Sequence, residues 1–90
     1  MQKKSQNYFV YILRCIDNTL YTGVTNNVER RFAQHLAGQA SRYTRAHPAK
    51  QIIYVERCKN KGAALKREYA IKRLSRTAKL SLVDSNHRLS

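Results

Sequence analysis

Asn7-Tyr8-Phe9-Val10-Tyr11-Ile12-Leu13-Arg14-Cys15-Ile16, followed by Asp17-Asn18-Thr19 and then Leu20-Tyr21-Thr22-Gly23-Val24-Thr25, is the stretch on which the fold turns. Its first run is almost continuously apolar and rich in β-branched and aromatic residues, with Arg14 as its one charge. That is the pattern of a central strand covered on both faces. Asp17-Asn18 supplies turn chemistry, and the second run resumes as a strand, so the two form an antiparallel hairpin.

Downstream, Asn26-x-x-Glu29 has the form of a capping box, with Glu29 at the positive end of the helix dipole. The helix it opens runs near 27–37 and stops at Gly38. Its apolar stripe is Val28, Phe32, Ala33 and Leu36, which leaves Arg31 and His35, four apart, one above the other on an exposed edge. Residues 39–49 show no period and contain Pro48, so they read as a loop, long for a chain of this size. Gln51 to Cys58 alternates as a third strand, with Ile52, Tyr54, Glu56 and Cys58 on one face and Ile53, Val55 and Arg57 on the other. Asn60 caps a helix over 61–74, and Ser75 caps a shorter one over 76–83 that turns Ala78, Leu82 and Val83 inward. Asp84 to Ser90 read as frayed. The predicted architecture is therefore α+β: a three-stranded antiparallel sheet of 7–16, 20–25 and 51–58 flanked by helices.

Ninety residues suffice for one domain with one core, and this sequence reads as a single domain whose core spans about 7–83. Eighteen Lys and Arg against five Asp and Glu give a net charge of +13, which opposes compaction unless a polyanion rewards it. Nucleic acid is the expected partner rather than a membrane, because the basic residues run through the whole chain and no lysine-rich amphipathic helix is backed by Trp and Phe. Cys15 and Cys58 lie in separate strand-like runs, far from any second Cys or His at ligand spacing, and read as reduced core thiols. The apolar run Tyr8 to Leu13 is too short for a signal sequence or a membrane span, which leads to a cytoplasmic expectation.

Glu68 is the position that periodicity singles out. It falls in the sector of its helix occupied by Ala64, Leu65, Ile71 and Leu74, while Lys66, Arg67 and Arg73 lie outside it. A carboxylate there needs a partner, either an arginine in a structural ion pair or a cation. Arg31 and His35 suit phosphate binding and proton transfer, but their spacing alone equally describes a solvated helix face. Tyr11 and Tyr21, on propensity alone, are packing aromatics of a strand.

Taken in order, these residues resemble one family. Phe9-Val10-Tyr11, then Tyr21-Thr22-Gly23 ten residues on, Arg31 eight after that glycine, His35 four later and Glu68 on a downstream helix are similar to the signature of the GIY-YIG nucleases. That superfamily includes the amino-terminal nuclease domain of UvrC, phage homing endonucleases and some restriction enzymes. The segments Val28 to His35, Tyr43-Thr44-Arg45 and Ile71 to Arg76 most resemble its short stand-alone bacterial members. The likeness covers roughly residues 7–83.

The resemblance implies a metal-dependent endonuclease that hydrolyses DNA phosphodiesters, with branched or damaged DNA and a role in repair as its setting and RNA left open as a substrate. Tyr11 would match the tyrosine that deprotonates the attacking water, helped toward the phenolate by Arg31 and the cation. Tyr21 would match the one that positions water or phosphate. Arg31 would hold the scissile phosphate, His35 would assist proton transfer, and Glu68 would bind a single divalent cation, Mg²⁺ or Mn²⁺, that keeps most of its waters. Gly23, Arg30, Arg42, Tyr43, Arg45 and Lys72 form the accompanying substrate-contact set, Gly23 where a Cβ would obstruct a close approach of the backbone to helix or substrate. Target specificity would come from this domain or from a protein partner. The rival expectations are a binding module that kept the fold without the activity, and a subunit silent without its partner.

Phe9 and Thr22 depart from the family triads. The asparagine that several members carry distally has no counterpart, Leu80 and Val83 occupying that region and Asn86 lying later. The resemblance also makes a demand on register. A two-residue turn at Asp17-Asn18 would pair Arg14 with Tyr21 and put Tyr11 on the opposite face, so a site shared by both tyrosines requires a bulge or an odd-length turn.

Overall fold

The computed structural model describes the backbone of residues 7–89 and the side chains of residues 7–85; residues 1–6 and the side chain of Asn86 lie outside that set. Strand β1 (Tyr8–Cys15) is central, with β2 (Leu20–Thr25) and β3 (Ala49–Cys58) antiparallel on either side in the order β2-β1-β3. Helix α1 (Val28–Leu36) and a short α2 (Arg42–Ala46) lie between β2 and β3, and α3 (Lys61–Lys72) and α4 (Arg76–Leu89) follow β3. This is the α+β architecture expected.

Both faces of β1 are covered. Val10 and Ile12 pack with Ile53, Tyr54, Ala64 and Ile71, backed by Leu82 and Val83, so α3 and α4 close one face. Tyr11 and Leu13 pack with Ala49, Phe32 and Ile52, so α1 lies against the other.

The hairpin turn is odd in length, as a shared tyrosine site demands. Cys15 donates its amide to Thr19 and accepts from that of Asn18, leaving Ile16, Asp17 and Asn18 in the loop. Asn18 takes the left-handed conformation at φ 70°, where Asn is among the few tolerated residues with a Cβ. Pairing therefore runs Leu13 to Tyr21 and Tyr11 to Gly23. Arg14 faces Leu20 rather than Tyr21, and the two tyrosines share a face.

Several local expectations are corrected. The cap of α1 is Asn27, whose side chain accepts from the Arg30 amide, while Asn26 accepts from the Arg30 guanidinium. The cap is thus displaced by one residue and the box does not form: the third helical residue is Arg30 rather than Glu29, and Thr25 Oγ1 accepts from the Asn27 amide in its place. The buried face of α1 is also rotated: His35 is 1% exposed and Leu36 57%. Polar partners beneath the helix accept the imidazole, and Leu36 is turned out.

The stretch 39–49 is not all loop. Ser41 caps α2 by accepting from the Thr44 amide, and β3 starts at Ala49. Alternation along β3 is broken by a bulge, Ile12 pairing with Tyr54 but Leu13 with Ile52. Ile52 and Tyr54 therefore lie on opposite faces, and Ile53 joins Tyr54 in the core. Helix α3 ends at Lys72, with Leu65 and Leu74 exposed, so its inward sector is narrower than periodicity indicates. Helix α4, capped by Ser75 as expected, continues to Leu89 because nothing in Asp84 to Leu89 breaks it.

Candidate active site

A polar cavity of about 200 Å³ is lined by Tyr11, Tyr21, Val24, Arg31, His35, Ala40 and Glu68. All five residues named for catalysis from the sequence meet here. Tyr11 and Tyr21 come from adjacent strands in the register just described, with ring centroids 6.4 Å apart. Arg31 and His35 come from successive turns of α1. That helix is held by its Asn27 cap and stopped by Gly38, whose φ of 74° permits the paired amide bonds from Gly38 to His35 and from Gln39 to Gln34. Glu68 reaches the cavity from α3, the helix on the far layer of the sheet.

The aromatic residues form a tight cluster. Tyr11 Oη and His35 Nε2 share a buried hydrogen bond of 2.7 Å, and His35 lies edge-on to both Tyr11 and Tyr21. Tyr43 stacks on Tyr21 at 5.8 Å and on His47 at 4.3 Å. His47 in turn bonds Asp17 at 2.6 Å, tying α2 to the hairpin tip. With Thr19, it holds the Asp17 carboxyl at about 2.

Gly23 belongs to this cluster for a steric reason different from the one expected. A Cβ there would stand 2.5 Å from Tyr11 Oη and 2.7 Å from Tyr11 Cζ. The group approaching the Gly23 backbone is the Tyr11 side chain, not a helix.

Burial governs the protonation states. It pushes the Tyr11 hydroxyl well above the ordinary tyrosine value; neighbouring Tyr21 adds to this, and Arg31 opposes it with a smaller effect. Arg31 thus acts toward the phenolate, as expected, but desolvation of the anion outweighs it. Burial, aided by Arg31, lowers His35 from 6.5 to about 4, so the imidazole is neutral near pH 7.

Glu68 is mostly buried, and one carboxylate oxygen is 3.1 Å from Lys72 Nζ. The structural ion pair anticipated for Glu68 is with a lysine on its own helix, not an arginine. Among the described residues no group of three or more His, Cys, Asp or Glu forms a ligand cluster. A single carboxylate in a polar cavity fits a hard divalent cation that retains several waters, and not a closed structural site.

The expected contact set divides. Arg42 and Arg45 line a second cavity that meets the first at Ala40. Arg30 is on the outer side of α1, engaged with Asn26, and lines neither cavity. Lys72 is occupied by Glu68, and Tyr43 packs within the aromatic stack. Thr44, 1% exposed and 2.7 Å from His35 Nδ1, carried no signal in its own periodicity. The helix-cap spacing Ser41-x-x-Thr44 and the family-like segment Tyr43-Thr44-Arg45 are the sequence features that could have pointed to it.

The fold and this arrangement define a class. Residues 7–81 match the family model of the GIY-YIG catalytic domain, and the chain belongs to that family. Within it the similarity is to UPF0213 proteins, small proteins found across bacteria and archaea. A UPF0213 protein of Natronomonas pharaonis is 49% identical over 77 residues, covering 86% of this chain and 91% of its own length. One from Desulfotalea psychrophila is 45% identical over 82 residues, covering 90% and 74%. The solution structure of a UPF0213 protein from Bacillus halodurans superposes with a TM-score of 0.57 at 39% identity, covering 88% of this chain and 84% of that one. Among the described residues no helix is long and apolar enough to cross a membrane.

Proposed function

We propose that this protein is an endonuclease that hydrolyses phosphodiester bonds of DNA, using Tyr11, Tyr21, Arg31, His35 and Glu68. The observation that carries this reading is the convergence of those side chains, from β1, β2, α1 and α3, on one cavity. Arg31 offers a planar fork to the oxygens of a scissile phosphate and stabilises charge that grows on them. Tyr21, beside it, orients phosphate or water.

Tyr11 accepts the proton of the attacking water. Its hydroxyl is held too high to exist as phenolate near pH 7, so it must release its own proton as it takes one. His35 Nε2, 2.7 Å away and neutral, is the acceptor in reach. Glu68 would hold Mg²⁺ or Mn²⁺ once Lys72 is displaced from its carboxylate. When bound, that cation supplies Lewis acidity at the phosphate and neutralises the leaving oxygen. A protein that only bound nucleic acid would have no need of a carboxylate in a cavity that must receive a phosphate.

Purified protein incubated with branched, flapped and linear DNA and with RNA, in Mg²⁺ or Mn²⁺, tests the reading beside Glu68→Ala and Arg31→Ala. Cleavage by the wild type and a loss of about a hundredfold or more in each variant are expected. Undiminished cleavage in both variants sinks the assignment. Binding without cleavage on every substrate replaces the enzyme with a binding module.

A further inference from the structure

The hydrogen bond from Tyr11 to His35 does not end at the imidazole. His35 Nδ1 lies 2.7 Å from Thr44 Oγ1, and Thr44 Oγ1 lies 2.9 Å from Ser41 Oγ. Ser41 Oγ also accepts from the Thr44 amide at 3.1 Å. Tyr11, His35 and Thr44 are 3%, 1% and 1% exposed, while Ser41 is half-buried. A continuous line of hydrogen-bonding atoms therefore runs from the cavity through α1 to the start of α2.

Two proton orders satisfy such a line. In one, Tyr11 donates to Nε2, Nδ1–H donates to Thr44, Thr44 donates to Ser41, and the Ser41 proton faces outward. In the other every donor is reversed, and Tyr11 points its hydroxyl proton into the cavity. Arg31 lines that cavity, while the Glu68 carboxylate beside it is paired with Lys72. The guanidinium draws the phenol's lone pairs toward the cavity and turns its proton to His35, which selects the first order.

We propose that Thr44 is a positioning residue, which holds His35 in the Nδ1–H tautomer and, with Ser41, carries the proton released at Tyr11 out of the buried site. The transfer balances at every atom. The attacking water loses a proton to Tyr11 Oη as its oxygen bonds phosphorus and the bond from phosphorus to the leaving ester oxygen breaks, that oxygen taking its proton from water in the cavity. Tyr11 Oη–H passes to His35 Nε2, Nδ1–H passes to Thr44 Oγ1, Thr44 Oγ1–H passes to Ser41 Oγ, and Ser41 Oγ–H passes to solvent. Tyr11, His35, Thr44 and Ser41 each end neutral, so neither a buried phenolate nor a buried imidazolium is left behind. The line finishes in the reversed order and is reset after product release, when a proton from solvent enters at Ser41, each group passes its own proton back toward Tyr11, and Tyr11 Oη gives one to water in the cavity, so the line stays neutral.

The transfer rests on the hydrolytic reading given above, but the tautomer does not. Long-range ¹H–¹⁵N correlation spectra of the His35 ring near pH 7 therefore test Thr44 without any substrate. The proton is expected on Nδ1 in the wild type and in Thr44→Ser, and on Nε2 in Thr44→Val, where Nδ1 loses its acceptor. On a DNA that the wild type cleaves, Thr44→Val should lower kcat about a hundredfold with KM unchanged, and Thr44→Ser should restore most of it. A wild-type ring carrying its proton on Nε2 overturns the proposal even if Thr44→Val does not fold. So does a Thr44→Val protein whose tautomer and kcat match the wild type. If the wild type cleaves nothing, the hydrolytic reading falls, and with it the transfer, while the ring spectra still decide whether Thr44 sets the tautomer.

Discussion

Gly23 and the Tyr11 hydroxyl compete for the same few ångströms, and that competition sets the geometry of the site. The phenol is pinned between the β2 backbone on one side and His35 on the other. Gly23→Ala should displace the Tyr11 ring, lengthen its bond to His35 and cost about 1–3 kcal/mol through overpacking, read as a lower urea midpoint with an unchanged m-value. The second prediction concerns acid. The unfolded chain takes up a proton on this histidine near 6.5, the folded chain only near 4. Between those values the unfolded state binds more protons, so this contribution to stability is complete above about pH 6.5 and is lost as pH falls toward 4. A titration of the His35 ring by NMR should find its midpoint near 4, and the urea midpoint should fall across the same interval.

At the level of elements, the three-residue turn decides whether the two tyrosines can act together. Its left-handed residue is Asn18, exposed and free of packing, so a substitution there reports on the turn rather than the core. Asn18→Val should cost about 1–2 kcal/mol, because a β-branched residue is strained at positive φ. Equilibrium unfolding checks this, with Asn18→Gly expected to be at least as stable as the wild type. The hairpin itself was legible from Tyr8 to Thr25, but its register was legible only as a condition. Composition marks Asp17-Asn18 as a turn without saying whether Ile16 belongs to the strand or the loop. Helix α1 illustrates the reverse. Its end followed from Gly38 and its start, to within one residue, from Asn26-x-x-Glu29, but its inward face did not, because an apolar stripe cannot reveal that Tyr11 and Thr44 wait beneath it for His35.

For the whole molecule the governing quantity is the charge of +13. If the basic surface neutralises about four phosphates, binding to duplex DNA should weaken roughly a hundredfold between 50 and 200 mM salt. Fluorescence anisotropy across that range checks it, and a flat response would remove nucleic acid as the partner. Charge, the order of the three strands and the three longer helices, and the central place of β1 follow from the chain's own pattern, since net charge, apolar runs and cap residues act through near neighbours. Glu68 was legible too, as a carboxylate out of keeping with its helix face. The contacts among Tyr11, His35, Thr44 and Ser41 were not, nor was the close approach at Gly23. Apart from the pair Ser41 and Thr44, which are neighbours in sequence, those contacts join residues of different elements, and only the packing of α1, α2 and the odd-length hairpin brings them together.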